Sequence, residues 1–167
     1  AMYYLKEAAD LGLVDAMSDV ANLYWGLEGD TDKDALENAI RYTTLAYSHS
    51  SHKLYRNTQT SFDGMCAYNM GSFFHNTFCG NFVDVLKLSK SQLLYRARHY
   101  FEEAAVKGYE NAYYPLAKTL LDMSIEDSVC VTGYSFAPRI LFWGRKATKG
   151  GGFKSRAIAL VEDMENL

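Results

Sequence analysis

The sequence predicts an all-α fold built from about four antiparallel helix hairpins, and three observations carry that prediction. First, the 167 residues hold only 2 Pro against 13 Tyr and 9 Phe. Proline breaks helices by removing a backbone donor and clashing with the preceding turn, so its scarcity permits a mostly helical chain, whereas a sandwich or barrel would want more turn residues. Second, the segment Tyr4-Leu5-Lys6-Glu7-Ala8-Ala9-Asp10-Leu11-Gly12 recurs 96 positions later as Tyr100-Phe101-Glu102-Glu103-Ala104-Ala105-Val106-Lys107-Gly108. At the same shift Ala16 maps to Ala112, Val20 to Leu116 and Ala21 to Ala117, so a pair of helices repeats together. Third, weaker copies lie between and after these, at Tyr42–Tyr47 and Phe142–Gly150, with spacings of 37 residues from Ala9 to Ala46 and 42 from Ala105 to Ala147. Periods near 40 residues are those of stacked helical hairpins.

Eight helices follow in order. The first spans 1–11 and closes at Gly12, where a left-handed residue after the last turn suits glycine. The second, 14–26, carries Ala16, Val20, Ala21 and Tyr24 at core spacing. The third, 33–49, follows Asp30, Thr31 and Asp32, which favour the positive end of a helix dipole. The fourth, 62–77, holds Cys66-Ala67-Tyr68-Asn69-Met70-Gly71-Ser72-Phe73-Phe74, with Cys66 in the small-residue place of Ala16. The fifth, 90–107, ends at Gly108, and the sixth, 110–123, carries Ala112, Leu116 and Ala117. The seventh, 137–149, has Pro138 in its first turn, Ser135 as a candidate N-cap and Gly150 as its closing residue. The eighth, 153–166, holds Ala157-Ile158-Ala159-Leu160-Val161. Three connections, about 50–61, 78–89 and 124–136, exceed what a hairpin link needs and read as inserted surface loops, a common place for specificity.

The pattern of Ala16, Val20, Ala21 and Tyr24, then Asp34 to Ala39, with Ala8-Ala9-x-x-Gly12 and Ala104-Ala105-x-x-Gly108, resembles the Sel-one-like repeat, a branch of the tetratricopeptide-like helical repeats. The likeness runs through the whole chain. It is sharp in the first and third hairpins and degraded in the second and fourth, where Ala46 is followed by Tyr47-Ser48-His49 and Gly150 by Gly151-Gly152. The resemblance implies a right-handed α-α superhelix, a solenoid that serves as an adaptor for protein complexes. In the family's register this chain opens on the second helix of a repeat, so it is expected to be a fragment of a longer array. The first helix of each repeat would line a concave face, which places there Ser18, Asn22 and Trp25; Tyr68, Ser72 and His75; and Tyr114, Lys118 and Leu121. Each set lies at i, i+4, i+7, opposite core positions of the Val20, Ala21 and Tyr24 type. Aromatic anchors beside polar donors suit a peptide groove. The competing reading has these residues facing the next helix or plain solvent.

Charge and motif exclude much else. A net charge of −3 and a pI near 5.8 leave no footprint for nucleic acid. No apolar run is long enough for a membrane span, and no signal peptide is visible. Cys66, Cys79 and Cys130 are odd in number and widely spaced, unlike a disulfide framework, so reduced thiols and a reducing compartment are the expectation. For a metal the best cluster is Cys66, His75 and Cys79, but no fourth ligand accompanies it and Cys66 stands about 14 Å along the helix from His75, so no metal or cofactor is expected. No motif pairs a cysteine nucleophile with His49, His52, His75 or His99. Lys149-Gly150-Gly151-Gly152-Phe153-Lys154-Ser155 fails as a phosphate loop because Phe153 stands where glycine is required, and it reads as a helix cap and link.

The basic run Arg145, Lys146, Lys149, Lys154 and Arg156 suits an acidic partner or a solvated helix end. Glu102, Glu103, Glu162, Asp163 and Glu165 lie on faces predicted to be exposed, with no cleft for paired-carboxylate chemistry. Phe73, Phe74, Phe78 and Phe82 read as core beneath an inserted loop. The expectation is therefore a non-enzymatic scaffold that docks a protein or peptide in the concave groove, with Trp25 and Tyr68 as anchors. Two other classes stay open: a structural spacer that associates through uncovered solenoid ends, and a metal- or thiol-dependent enzyme.

Overall fold

The computed structural model describes residues 2–26, 33–51, 60–81, 86–126 and 136–166. They form α1 (Met2–Asp10), α2 (Val14–Gly26), α3 (Lys33–Ser51), α4 (Thr60–Phe78), α5 (Lys90–Val106), a 3-10 turn over Glu110–Ala112, α6 (Tyr113–Glu126), α7 (Ala137–Lys149) and α8 (Lys154–Glu165), with no strand among the described residues. Each helix packs against the next in sequence, and α6 also meets α8. The result is a helical-repeat-like all-α fold, and all eight expected helices are present within a few residues of their expected bounds.

Local sequence explains the punctuation. Gly12 and Gly108 close α1 and α5 at φ 93° and 81°, in the left-handed region where a β-carbon is penalised. The expectation for Gly150 is displaced by one residue: Gly150 is extended and Gly151 carries the positive φ of 89°. The loop folds over the 3-10 turn: β-carbons at Gly150 and Gly151 would lie 2.5 Å from the Glu110 carboxylate and 2.8 Å from the Glu110 carbonyl oxygen, and the Gly152 amide donates to Asn111 Oδ1 at 2.8 Å. Of the three glycines, Gly151 serves a close approach between backbones as well as the left-handed turn after α7. Pro138 lies in the first turn of α7, and Pro115 occupies the first turn of α6, where a missing amide hydrogen costs nothing. Phe136 precedes α7 without a side-chain cap, and Ser135, Asp30, Thr31 and Asp32 lie outside the described residues. Ser89 and Gln92 form a reciprocal capping box on α5, a signal present in the sequence as Ser-x-x-Gln. In the loop expected over 50–61, α3 runs on to Ser51 and α4 begins at Thr60.

Two groups of buried apolar side chains hold the helices. One joins Ala9, Ala16, Met17, Val20, Ala21, Tyr42, Ala46 and Cys66. The other runs from Leu36 through Phe73, Phe101 and Leu116 to Ile140 and Leu160. Small residues stand wherever helices meet closely, Ala16, Ala21, Ala39, Ala67, Ala104, Ala112, Ala117, Ala147 and Ala157 all being buried. Gly71 is the extreme case. It occupies the repeat position of Ala21 and Ala117, and a β-carbon on it would meet the Phe101 ring at 2.7 Å. Phe73 and Phe74 are core as expected, Phe78 is half-buried and Phe82 lies outside the described residues.

Candidate functional site

The three sets of side chains expected on one face fare differently. In α2, Ser18 is not exposed at all: it is 3% accessible and hydrogen-bonds the Cys66 thiol together with Ser50. Burial pushes that thiol up to about 11, against partial relief from the two hydroxyls. Ser18 is thus a corrected assignment, because α4 covers the α2 face that carries it. Asn22 is exposed. Trp25 is half-buried: its indole Nε1 donates to Thr43 Oγ1 at 3.3 Å and its ring lies 5.8 Å from that of Phe73. It packs against both core groups, which makes it a seam between hairpins and not a free anchor.

In α4, Tyr68 leans on Phe101 and Tyr109 at 5.8 and 5.3 Å between ring centroids. Burial raises its phenol, and a hydrogen bond with half-buried Ser72 opposes the rise. Tyr68 too is held from within. His75 is different. Its Nε2 lies 3.0 Å from Asp122 Oδ2 on α6, and its Nδ1 lies 3.7 Å from the Sγ of Cys79. Lys118 Nζ donates to the other Asp122 oxygen, Oδ1. Burial acts to raise the Asp122 carboxyl, but the hydrogen bonds from His75 and Lys118 outweigh it and hold the group below the ordinary range. The imidazole therefore ties α4 to α6 through an ionised carboxylate, flanked by the Phe78 and Phe101 rings at 6.1 and 6.4 Å.

The third set opens on space. Tyr114, Lys118 and Leu121 of α6, with Arg156, Ala159, Leu160, Asp163 and Met164 of α8, line an open cleft of about 340 Å³. Tyr114 stacks on Phe153 at 5.5 Å, and the Arg156 guanidinium lies 5.9 Å from the same ring. The floor is apolar, with cations from both helices and one acid at its edges. Ala159 and Asp163 are the sequence equivalents of Tyr114 and Lys118, since Ala157 stands where Ala112 does. The repeat register identifies them once carried into the fourth hairpin. Asp122 had no comparable signal in one dimension, lying 47 residues from His75.

Among the described residues no group of three or more His, Cys, Asp and Glu side chains is arranged to hold a metal ion. The two His75 nitrogens point to different partners, and Cys66 is buried in the other core group. Cys130 and His52 lie outside the described residues. Of the basic run, Lys146 sits 5.1 to 5.5 Å above the rings of Phe142, Trp143 and Tyr113, and Arg145 pairs with Glu165 at 2.7 Å. No helix among the described residues is long and apolar enough to cross a membrane. No family model, curated protein or solved structure matches the chain.

Proposed function

We propose that the chain is a non-enzymatic protein-interaction scaffold of the Sel-one-like type, a right-handed solenoid that docks an extended or helical segment of a partner along its concave face. The observation that carries this reading is the cleft between α6 and α8, in which Ala159 and Asp163 stand at the register positions of Tyr114 and Lys118. Its apolar floor of Leu121, Ala159 and Met164 offers burial, and Lys118, Arg156 and Asp163 offer polar contacts at the edge. Because stacked hairpins hold these side chains rigid, little ordering entropy is lost on binding. The anchors of this reading are Tyr114 and Leu121, which line the cleft, in place of Trp25 and Tyr68, which do not.

The test is a partner recovered by affinity capture and then titrated against purified variants. Arg156→Glu with Met164→Asp should weaken binding at least about tenfold, a loss near 1.4 kcal/mol, while Phe142→Ser on α7 should leave it unchanged. Equal affinity in all three proteins would overturn the cleft as the docking site. A second reading, a self-associating spacer, is favoured by α1 and the turn after it, where Tyr3, Tyr4, Leu11 and Leu13 are exposed, Leu11 to 88%. Under that reading light scattering gives a mass that rises with concentration and falls back in Leu11→Glu/Leu13→Glu; a constant mass rejects it.

A further inference from the structure

The line Cys79–His75–Asp122 crosses from the end of α4 to α6, and none of its three residues lines the cleft, which it meets through the Lys118–Asp122 pair. The order of the three groups fixes their roles. Asp122, ionised and also held by Lys118, can only accept hydrogen bonds, so the proton of the neutral imidazole belongs on Nε2. Nδ1 is then a lone pair, and it faces Sγ of Cys79 at 3.7 Å, within reach of the S–H hydrogen. A thiol, a base and a carboxylate that orients the base are thus arranged in the order a general-base-assisted nucleophile requires. Cys79 is exposed, so a small molecule has access to its sulfur.

We infer that Cys79 is a covalent modification site, a thiol that His75 activates toward small disulfides. In the step, the Cys79 proton passes to His75 Nδ1 as Sγ attacks one sulfur of a disulfide RS–SR. The new Sγ–S bond forms, the old S–S bond breaks, and its electron pair leaves with RS⁻, which takes the proton back from the imidazolium as RSH. Cys79 is oxidised to a mixed disulfide, and half of the reagent is reduced to a thiol. Asp122 is a positioning residue that steadies the imidazolium. Charged groups acting on the sulfur are Asp122 and Lys118, both on α6. Burial and the Asp122 charge push the thiol upward, so the resting group is a thiol, and its reactivity comes from proton transfer during attack. Cys66, buried and raised to about 11, is the inert reference within the same molecule.

The experiment follows mixed-disulfide formation with dithiodipyridine on the folded chain carrying Cys130→Ser, with mass spectrometry to assign the adduct. The adduct should form on Cys79 and not on Cys66. A thiol acting without a base slows about tenfold per pH unit below its own range, because only thiolate reacts. Here the decline should be shallower, and His75→Gln should restore the full slope and slow the reaction at neutral pH by at least about tenfold. Asp122→Asn should fall between the two. Circular dichroism verifies that each variant is folded; if His75→Gln is not, the slope in the parent protein decides. An adduct on Cys66, a tenfold-per-unit slope in the parent, or equal rates in the parent and a folded His75→Gln would overturn the inference.

Discussion

The first and third hairpins are copies in sequence, yet they use the same positions in opposite ways. Val20 and Leu116 are both fully buried, as are Ala21 and Ala117, so the inward faces of α2 and α6 coincide. The other faces diverge. At one register position Ser18 is sealed against Cys66 and Tyr114 borders a cleft; at another Trp25 closes a seam against Phe73 and Leu121 lines open space. What differs is the neighbour. α4 presents Cys66, Ser50 comes from the end of α3, and Phe73 fills the space beside Trp25, so nothing of that α2 stripe except Asn22 stays fully in solvent. Against α6, α8 presents Ala159 and Asp163, which are too small or too polar to close the gap. Repetition assigns a residue to a face; the residue across from it decides whether that face is core or surface.

The comparison is broken most sharply by truncating its two equivalent positions. Trp25→Ala removes an indole that joins both core groups and should cost about 3 kcal/mol or more in denaturant unfolding. Leu121→Ala, at the wall of an open cleft, should cost about 1 kcal/mol, since part of its surface is already in water. Equal losses would mean that the two stripes are used alike.

A middle-sized effect comes from giving the second hairpin the residue that the first and third already carry. Gly71→Ala places a methyl group 2.7 Å from the Phe101 ring, and the overpacking should cost about 1 to 3 kcal/mol, read from the thermal unfolding midpoint. A neutral result would show that α4 and α5 can separate without loss. The smallest effect concerns acid. Because Asp122 is held below the ordinary carboxyl range when folded, the unfolded chain binds the proton first as pH drops below about 4. Its contribution is present at neutral pH and is lost as pH falls through the folded value. Asp122→Asn should therefore flatten part of the acid limb of stability against pH; an unchanged limb would show that the α4–α6 bridge adds nothing.

Much of the fold was legible because helix and turn signals are local. Tyr4 to Gly12 and Tyr100 to Gly108 announce the same helix and the same left-handed stop, and both glycines have the positive φ that their position demands. Alanines at repeat positions marked close helix approaches, and Ala9, Ala16, Ala21, Ala46, Ala104, Ala105, Ala112, Ala117, Ala147 and Ala157 are buried. The site was legible only in part. The i, i+4, i+7 rule chose the α6 face that lines the cleft, and the same register leads to Ala159 and Asp163. It misplaced Ser18, and it treated Trp25 and Tyr68 as anchors when their rings are used inside. The left-handed residue after α7 is Gly151, one position later than expected, where the backbone passes over that of Glu110, far earlier in the chain.

By itself the sequence determined the helices, their stops, their apolar faces and a repeat near 40 residues, since each depends on bonds and spacings within a few turns of chain. Only the tertiary structure decided which polar groups meet. His75 finds Asp122 47 residues away, Tyr47 donates to Glu103 from 56 away, and Gly152 reaches Asn111 from 41 away. A hydrogen bond acts over about 3 Å of space regardless of the chain between its ends, so no local pattern could announce these pairs.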